Sequence, residues 1–330
     1  MKNSETKEGR LTSEKGQEKL NTISPYTIRC FNPLTKGKKV EDSYSPLGKI
    51  GQFDMYEIFK SYITTKGSGY HLVQATEQIY SLFGFKFNDT TREIRGIIRA
   101  GSYGSRTDIV NIKTGKIDFK RLEENAEVLN HYVRFFVPAE LNEGVILLHN
   151  QKNVGVKTLI WELLREEFSR VTGRVLQMNP LSYEKAFEEW KKATTKEIKL
   201  IRFSGMNTVE DQIKKLGHDE AEHVYIIKAS RKNNLGTFVD YLTPGTEQNA
   251  TVEMLAPLCA EVKTVVEMHG RKRTFRLGGS QSSQVCEIDV DEKKVTIIAG
   301  NPDLKELDAW SKILLNEFLF TMYPGMGIKV

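Results

Sequence analysis

HYVRFFVPAELNEGVILLHNQKNVGVKTLIWELLREEFSRVTG, residues 131–173, is the densest apolar run of the sequence and decides its fold. Two short runs of β-branched, aromatic and aliphatic residues, 132–137 and 145–148, are typical of strands that are buried on at least one face. The acidic segment 140–144 between them predicts a turn. Apolar residues then recur every three or four positions up to Gly173, which indicates one face of a helix. The sequence therefore predicts a hairpin followed by a helix that packs on the same sheet.

The flanking segments carry clear signals for further strands and helices. Residues 69–119 alternate with a period of two between Gly, Asn, Asp and Ser clusters, which predicts an antiparallel sheet with a tight turn at 113–116. Asp54 and Glu57 have the spacing of a capping box and predict a helix over residues 54–64. Asn301 followed by Pro302 predicts the start of the last helix.

Chain length limits the domain organisation. A chain of 330 residues exceeds the roughly 250 residues at which single cores stop growing, so two lobes are expected. We predict an α+β fold with an antiparallel sheet and packed helices in an N-terminal lobe, 23–173, and a smaller mixed α+β lobe, 174–330. Residues 1–22 hold hardly an apolar side chain, which predicts a disordered tail.

Composition is that of a globular protein, with 39% hydrophobic and 28% charged residues. No window approaches the roughly 18 continuous apolar residues of a membrane helix, and the N-terminus is polar, so a cytoplasmic protein is expected. Cys30, Cys259 and Cys286 lie far apart and in no metal-binding spacing, which predicts buried thiols without a disulfide framework or a zinc site. No motif predicts a cofactor or a metal.

The formal net charge of +5 is mild, so only clusters of positive charge bear on function. Residues 269–283, HGRKRTFRLGGSQSS, form the strongest cluster. They predict a contact with a polyanion, and the alternative is a solvated loop with ordinary surface charge. The candidate binding residues in this cluster are Arg271, Lys272, Arg273 and Arg276.

Two further basic groups are candidates. Within residues 91–106, TREIRGIIRAGSYGSR, a strand would place Arg95 and Arg99 on one face, with Arg106 after a glycine turn. The third group follows a predicted strand and consists of Lys228, Arg231 and Lys232. If the three groups converge in space, they form a groove.

Catalytic chemistry has weaker support in the sequence. Asp108 with Asp118 and Lys120 has the order that a metal-dependent nuclease uses, but acid-any-lysine triplets recur elsewhere in this charged chain. His131 and His149 lie at the ends of the predicted central strands and are better explained as packed or surface residues. No nucleophile elbow and no phosphate-binding loop motif is present.

The order of elements around the central hairpin resembles a family of defence proteins. A strand that contains Val-Arg-Phe-Phe-Val, 133–137, is followed by an acidic turn, a second strand, a helix, an amphipathic segment and a further strand at 198–203. This order resembles the RexA-type phage-exclusion proteins and, more loosely, the DNA-binding B component of the Kiwa defence system. The resemblance covers about a fifth of the chain. It implies a two-lobed, non-enzymatic homo-oligomer that binds duplex DNA without sequence preference and acts with a membrane protein in phage defence.

Three hypotheses about function follow. The first is a DNA-binding component of an antiphage system that contacts phosphates through the three basic groups. The second is a metal-dependent nuclease effector that uses Asp108, Asp118 and Lys120. The third is a protein-protein interaction module.

Overall fold

A computed structural model describes residues 21–35, 40–151, 154–181, 188–201, 224–230, 233–259, 261–268, 271–277 and 286–330. The predicted tail lies outside these residues, except that Asn21 and Thr22 begin the first strand. No helix within these ranges has both the length and the apolar character that are needed to cross a bilayer.

Strands dominate the described structure. They are β1 (Asn21–Phe31), β2 (Tyr44–Ser45), β3 (His71–Val73), β4 (Gln78–Asn88), β5 (Glu93–Ser102), β6 (Thr107–Val110), β7 (Ile117–Arg121), β8 (Glu127–Phe136), β9 (Gly144–Gln151), β10 (Val175–Pro180), β11 (Thr194–Ile201), β12 (Val224–Lys228), β13 (Glu261–Met268), β14 (Arg271–Leu277), β15 (Cys286–Asp289), β16 (Ile297–Ile298) and β17 (Asn301–Pro302). The α-helices of the described residues are α1 (Met55–Lys66), α2 (Lys157–Thr172), α3 (Glu188–Lys191), α4 (Glu247–Leu255) and α5 (Leu304–Met322).

Thirteen of the strands form one antiparallel sheet. Its order is β12-β11-β13-β14-β15-β1-β9-β8-β5-β4-β3, and β2 and β10 also pair with β1. The short strand β15 connects the two halves, because it pairs with β14 on one side and with β1 on the other. Strands β6 and β7 form a separate two-stranded ribbon, and β16 and β17 form another small pair.

The predicted α+β fold, with helices packed on one lobe and a smaller mixed second lobe, is wrong. The described structure is dominated by a single sheet that runs through both halves of the chain. Chain length alone suggested two lobes. Two separate sheets would each leave an unpaired edge strand, which favours aggregation, and one continuous sheet removes those two edges. Strand β15 provides that pairing, since Thr22 lies opposite Asp289 and Ile23 opposite Ile288.

Each face of the sheet carries its own hydrophobic core. Along β8, Tyr132 and Phe136 belong to one core, whereas Val133 and Phe135 belong to the other. This division follows from the alternation of side chains along a strand. The core with Val133 and Phe135 also contains the buried apolar residues of α1 and α2, and we call it the α1–α2 core. The core with Tyr132 and Phe136 contains the buried apolar residues of α5, and we call it the α5 core.

The central hairpin and helix are confirmed. Strands β8 and β9 pair with Phe135 opposite Ile146, and α2 follows them. Helix α2 ends at Gly173, whose φ of 64° is in the left-handed region that glycine adopts without strain. Leu164 and Phe168 on its inner face are buried in the α1–α2 core.

Helix starts were predicted with mixed success. The Asp54 carboxylate accepts the amide of Tyr56 at 2.8 Å, so the predicted cap of α1 is confirmed. Helix α5 begins two residues later than predicted, because Asp303 is its N-cap and accepts amides at 3.0 Å. Asn301 and Pro302 instead form β17, which pairs with β16.

Candidate nucleic-acid interface

The strongest predicted cluster lies within the large sheet. Residues 271–277 form β14 between β13 and β15, so the alternative of a solvated loop is wrong for these residues. Arg273 is only 5% exposed, and its guanidinium lies 4.3 Å from the ring centre of Trp190 and 5.4 Å from that of Phe318. Glu317 lies 3.7 Å from the same side chain. Cation–π contacts and this carboxylate hold the nearly buried Arg273 against the α5 core, at one wall of a cavity of about 280 Å³ that Asp289, Asp291 and Glu317 also line.

The other cations of β14 have different surroundings. Arg276 is exposed and lies 3.3 Å from Glu261. It lines a cavity of about 250 Å³ on the face of the sheet opposite Arg273. The buried Lys263 in the same cavity lies 3.1 Å from Glu287, so positive and negative charges alternate there. Lys272 is exposed, and the side chain of Arg271 lies outside the described residues.

The second predicted group is divided along β5 and the loop after it. Arg95 forms an ion pair of 3.3 Å with Asp308 of α5. The Arg99 guanidinium lies 3.6 Å from the centre of the Phe83 ring. Arg106 is highly exposed and lies 3.2 Å from Glu123, a pair that solvent screens strongly.

The third predicted group lies at an edge of the large sheet. Lys228, at the end of β12, lies 3.3 Å from Glu197 of the neighbouring strand. Arg231 and Lys232 lie outside the described residues.

The described members of the three groups do not meet in one groove. Five interstrand steps separate β14 from β5, which is about 24 Å at the usual strand spacing. Three steps, or about 14 Å, separate β12 from β14. Arg273 and Arg276 also occupy opposite faces of one strand. The sheet therefore distributes these cations over separate surfaces.

A different basic feature, the β6–β7 ribbon, protrudes from the large sheet. All residues of β6 and β7 are exposed except Arg121, which is partly buried. Arg121 fixes the base of the ribbon by donating to the backbone oxygens of Ser102 at 2.5 Å and Asn125 at 3.1 Å. At the tip, the Asn111 side-chain oxygen accepts the amides of Lys113 and Thr114. The ribbon is thus ordered at both ends and solvated along its length.

Both faces of the ribbon carry apolar side chains. Ile109 lies opposite Phe119, and after a bulge Val110 lies opposite Ile117. Residues opposite each other share a face, and Ile109 and Val110 are consecutive on β6, so the two apolar pairs lie on opposite faces of the ribbon. Each of the four side chains is between 47% and 53% exposed. Asp108 lies opposite Lys120, on the face opposite Ile109 and Phe119. Ile112, at the tip, is 97% exposed.

Three lysines give the ribbon its positive charge. Lys113, Lys116 and Lys120 are exposed, and none forms an ion pair with a carboxylate of the described residues. The sequence analysis recognised the turn at 113–116 but not this arrangement. The signal was present, since Lys113 and Lys116 are the first and last residues of the tight turn and Lys120 follows in the next strand.

The residues of the nuclease hypothesis lie on the same ribbon. Asp108 is the cross-strand neighbour of Lys120, and Asp118 accepts a hydrogen bond of 3.1 Å from the Asn111 side chain. Across the described part of the chain, no group of three or more His, Cys, Asp or Glu residues is placed to hold a metal ion.

A buried ionic network, which the sequence did not reveal, joins α5 to the sheet. Arg134 is 1% exposed and donates to Glu93, to the Tyr132 hydroxyl at 3.0 Å and to the Asp308 carboxylate at 2.7 Å. Burial alone would lower the pKa of Arg134, but the oxygens of Tyr132, Glu93 and Asp308 raise it above the ordinary value. These contacts join β5 and β8 to α5.

Two buried histidines lie where β8, β9 and β1 meet. His131 Nδ1 lies 3.1 Å from the backbone oxygen of His149, and His149 Nε2 lies 3.0 Å from Asn21 Oδ1. Burial, with a smaller effect of His131, lowers the pKa of His149 to about 4. Both rings are packed in the interior, as the sequence analysis expected for residues without a catalytic role.

No known protein-family model matches this sequence, and no curated protein matches it at a significant level.

Proposed function

We propose that this chain is a non-enzymatic protein that binds duplex DNA without sequence preference through its β6–β7 ribbon. The observation that carries the proposal is the exposed ribbon with Lys113, Lys116 and Lys120, whose charges no described carboxylate neutralises in an ion pair. A two-stranded ribbon fits the width of the DNA major groove. Lysine contacts to phosphates give affinity that is independent of base sequence.

Two neighbouring features support this assignment. Arg106 lies next to the ribbon and is 72% exposed. Its ion pair with Glu123 is weakened by solvent, so a DNA phosphate can replace Glu123 as the partner of Arg106 at little cost. Ile112 lies at the tip of the ribbon, in the loop between β6 and β7, and its side chain is almost fully exposed. In the DNA-bound form this side chain would lie in the major groove beside the base edges.

The biological setting rests on the resemblance to the RexA-type and Kiwa defence proteins alone. We include in the proposal a role in antiphage defence, a membrane-protein partner, homo-oligomerisation and a cytoplasmic location. None of the ribbon contacts depends on these four parts of the proposal.

Fluorescence anisotropy with random-sequence duplex DNA over a series of salt concentrations tests the proposal. Each phosphate contact contributes a slope of about 0.9 to the dependence of log K on log salt. The variant Lys113→Gln/Lys116→Gln/Lys120→Gln should weaken binding and reduce the slope by about 2.7. A matched control, Lys293→Gln/Lys294→Gln/Lys305→Gln, removes the same charge from exposed positions elsewhere and should bind like the native protein.

Equal effects of the two triple variants would show that net charge, and not the ribbon, governs affinity. Absence of binding at low salt would overturn the proposal altogether. The same preparation incubated with plasmid and Mg²⁺ or Mn²⁺ should leave the DNA intact. Cleavage that Asp118→Ala abolishes would favour the nuclease hypothesis, and protein partners that survive nuclease treatment in a pull-down would favour an interaction module.

A further inference from the structure

The cavity of about 280 Å³ beside Arg273 lies next to α5, where β14 and β15 separate. Beyond the pair of Thr274 and Glu287 the two strands are no longer paired, and β15 continues along β1 through Ile288. Arg273 and Ile288, the next residue on each strand, both line the cavity. We call this space the α5 cavity.

One wall of the α5 cavity is apolar. Trp310, Ile313 and Leu314 have the spacing of neighbours on one side of a helix, and all three line the cavity together with Ile288. Trp310 and Leu314 are buried, whereas Ile313 is 48% exposed. The apolar surface therefore continues from solvent to the interior.

Charged side chains of both signs line the rest of the α5 cavity. The acids are Asp289, Asp291 and Glu317, and the cations are the buried Arg273 and the exposed Lys272, Lys293 and Lys294. Arg273 and Glu317 lie 3.7 Å apart, so a cation and an acid are neighbours on this wall. A ligand with one charge would meet like charges there as well as opposite ones. A ligand that carries both charges on neighbouring atoms can face a cation and an acid at once.

We infer that the α5 cavity binds a free amino acid with an apolar side chain. The carboxylate of the ligand faces Arg273, its ammonium group faces Glu317, and its side chain packs against the apolar wall of α5. A volume of about 280 Å³ is just below the range of about 300–1,000 Å³ that is typical for drug-sized ligands, which favours one small metabolite. The inference does not depend on DNA binding.

NMR titration of the full chain with L-phenylalanine tests the ligand class. Binding should be saturable, with a dissociation constant of about 1 mM or tighter. Two matched compounds keep the aromatic ring and lose one charge each: phenylpropionate lacks the ammonium group, and phenylethylamine lacks the carboxylate. Each should bind at least about tenfold more weakly, because one charge-assisted contact is lost and one wall charge is left opposed.

Three variants locate the site. Ile313→Lys places a charge on the apolar wall and should weaken L-phenylalanine binding at least about tenfold. Phe320→Lys makes a similar change on the same helix, at a position that is 78% exposed and outside the cavity, and should bind like the native protein. Glu317→Gln should weaken L-phenylalanine binding but strengthen phenylpropionate binding, because it removes an acid that attracts the ammonium group and repels the carboxylate. Circular dichroism checks that each variant keeps the native fold.

Absence of saturable L-phenylalanine binding would overturn the inference. So would phenylpropionate or phenylethylamine that binds as tightly as L-phenylalanine, since the site would then select one charge only. Equal losses in Ile313→Lys and Phe320→Lys would place the binding elsewhere. The variant Lys113→Gln/Lys116→Gln/Lys120→Gln should bind L-phenylalanine like the native protein, which separates this inference from the proposed function of the ribbon.

Discussion

Acidification should destabilise this protein through His149, which is fully buried in its neutral form. Its Nε2 donates to Asn21 Oδ1 at 3.0 Å, and burial is the main reason that its pKa falls from 6.5 to about 4. A histidine whose folded pKa is depressed stabilises the fold above its unfolded pKa. That stability is lost as the pH falls from about 6.5 towards about 4.

The size of the effect follows from the two pKa values. Lowering the pH from 7.5 to 5 should cost about 2 kcal/mol of unfolding free energy through this one group, and the full loss below pH 4 is about 3 kcal/mol. The pKa of His131 is also lowered, chiefly by burial, so its contribution has the same sign.

Urea unfolding at pH 7.5 and pH 5, for the native protein and for His149→Gln, measures this contribution. Glutamine keeps a donor for Asn21 but does not titrate, so the variant should lose about 2 kcal/mol less on acidification. Equal losses in the two proteins would refute the assignment of the pH dependence to His149. Agreement of fluorescence and circular dichroism transitions checks that unfolding is two-state.

Two further predictions concern charges inside the protein. Glu93→Ala removes a buried partner of Arg134 and should lower the unfolding free energy by about 3–5 kcal/mol, measured in urea at neutral pH. Unchanged stability would mean that Asp308 alone compensates the Arg134 charge. Arg273→Met should leave DNA affinity unchanged in the anisotropy assay, because the Arg273 side chain lies in the α5 core. A clear loss of affinity without loss of structure would return this residue to the binding surface.

Local patterns in the sequence predicted local structure well. The 131–173 stretch forms its hairpin and helix because period-two and period-3.6 repeats report which faces are buried. The start of α1 was predictable because a single local contact sets it, the hydrogen bond from the Tyr56 amide to the Asp54 carboxylate. The start of α5 was misplaced because two capping signals, Asn301 and Asp303, lie two residues apart, and only the structure shows that the second one is used.

Non-local pairing was beyond the reach of these patterns. Nothing in the sequence near Ile23 indicates that it pairs with Ile288, so the large continuous sheet was not predicted. The partners of buried charged residues were likewise not predictable from the sequence. Arg134 was visible within an apolar strand, but its partners Glu93 and Asp308 are 41 and 174 positions away. Clusters of arginines in sequence could therefore not be separated into buried and exposed ones.

The position of β1 has a consequence for how the protein is made. Of the described strands it is synthesised first, yet Ile23 pairs with both His149 and Ile288, so its two edges are completed by segments synthesised much later. Contacts of such long sequence separation form slowly. The sheet can close only after residues 286–289 have been released from the exit tunnel. Until then the start of β1, at Thr22 and Ile23, presents an open edge, whereas residues 26–31 can already pair with β10.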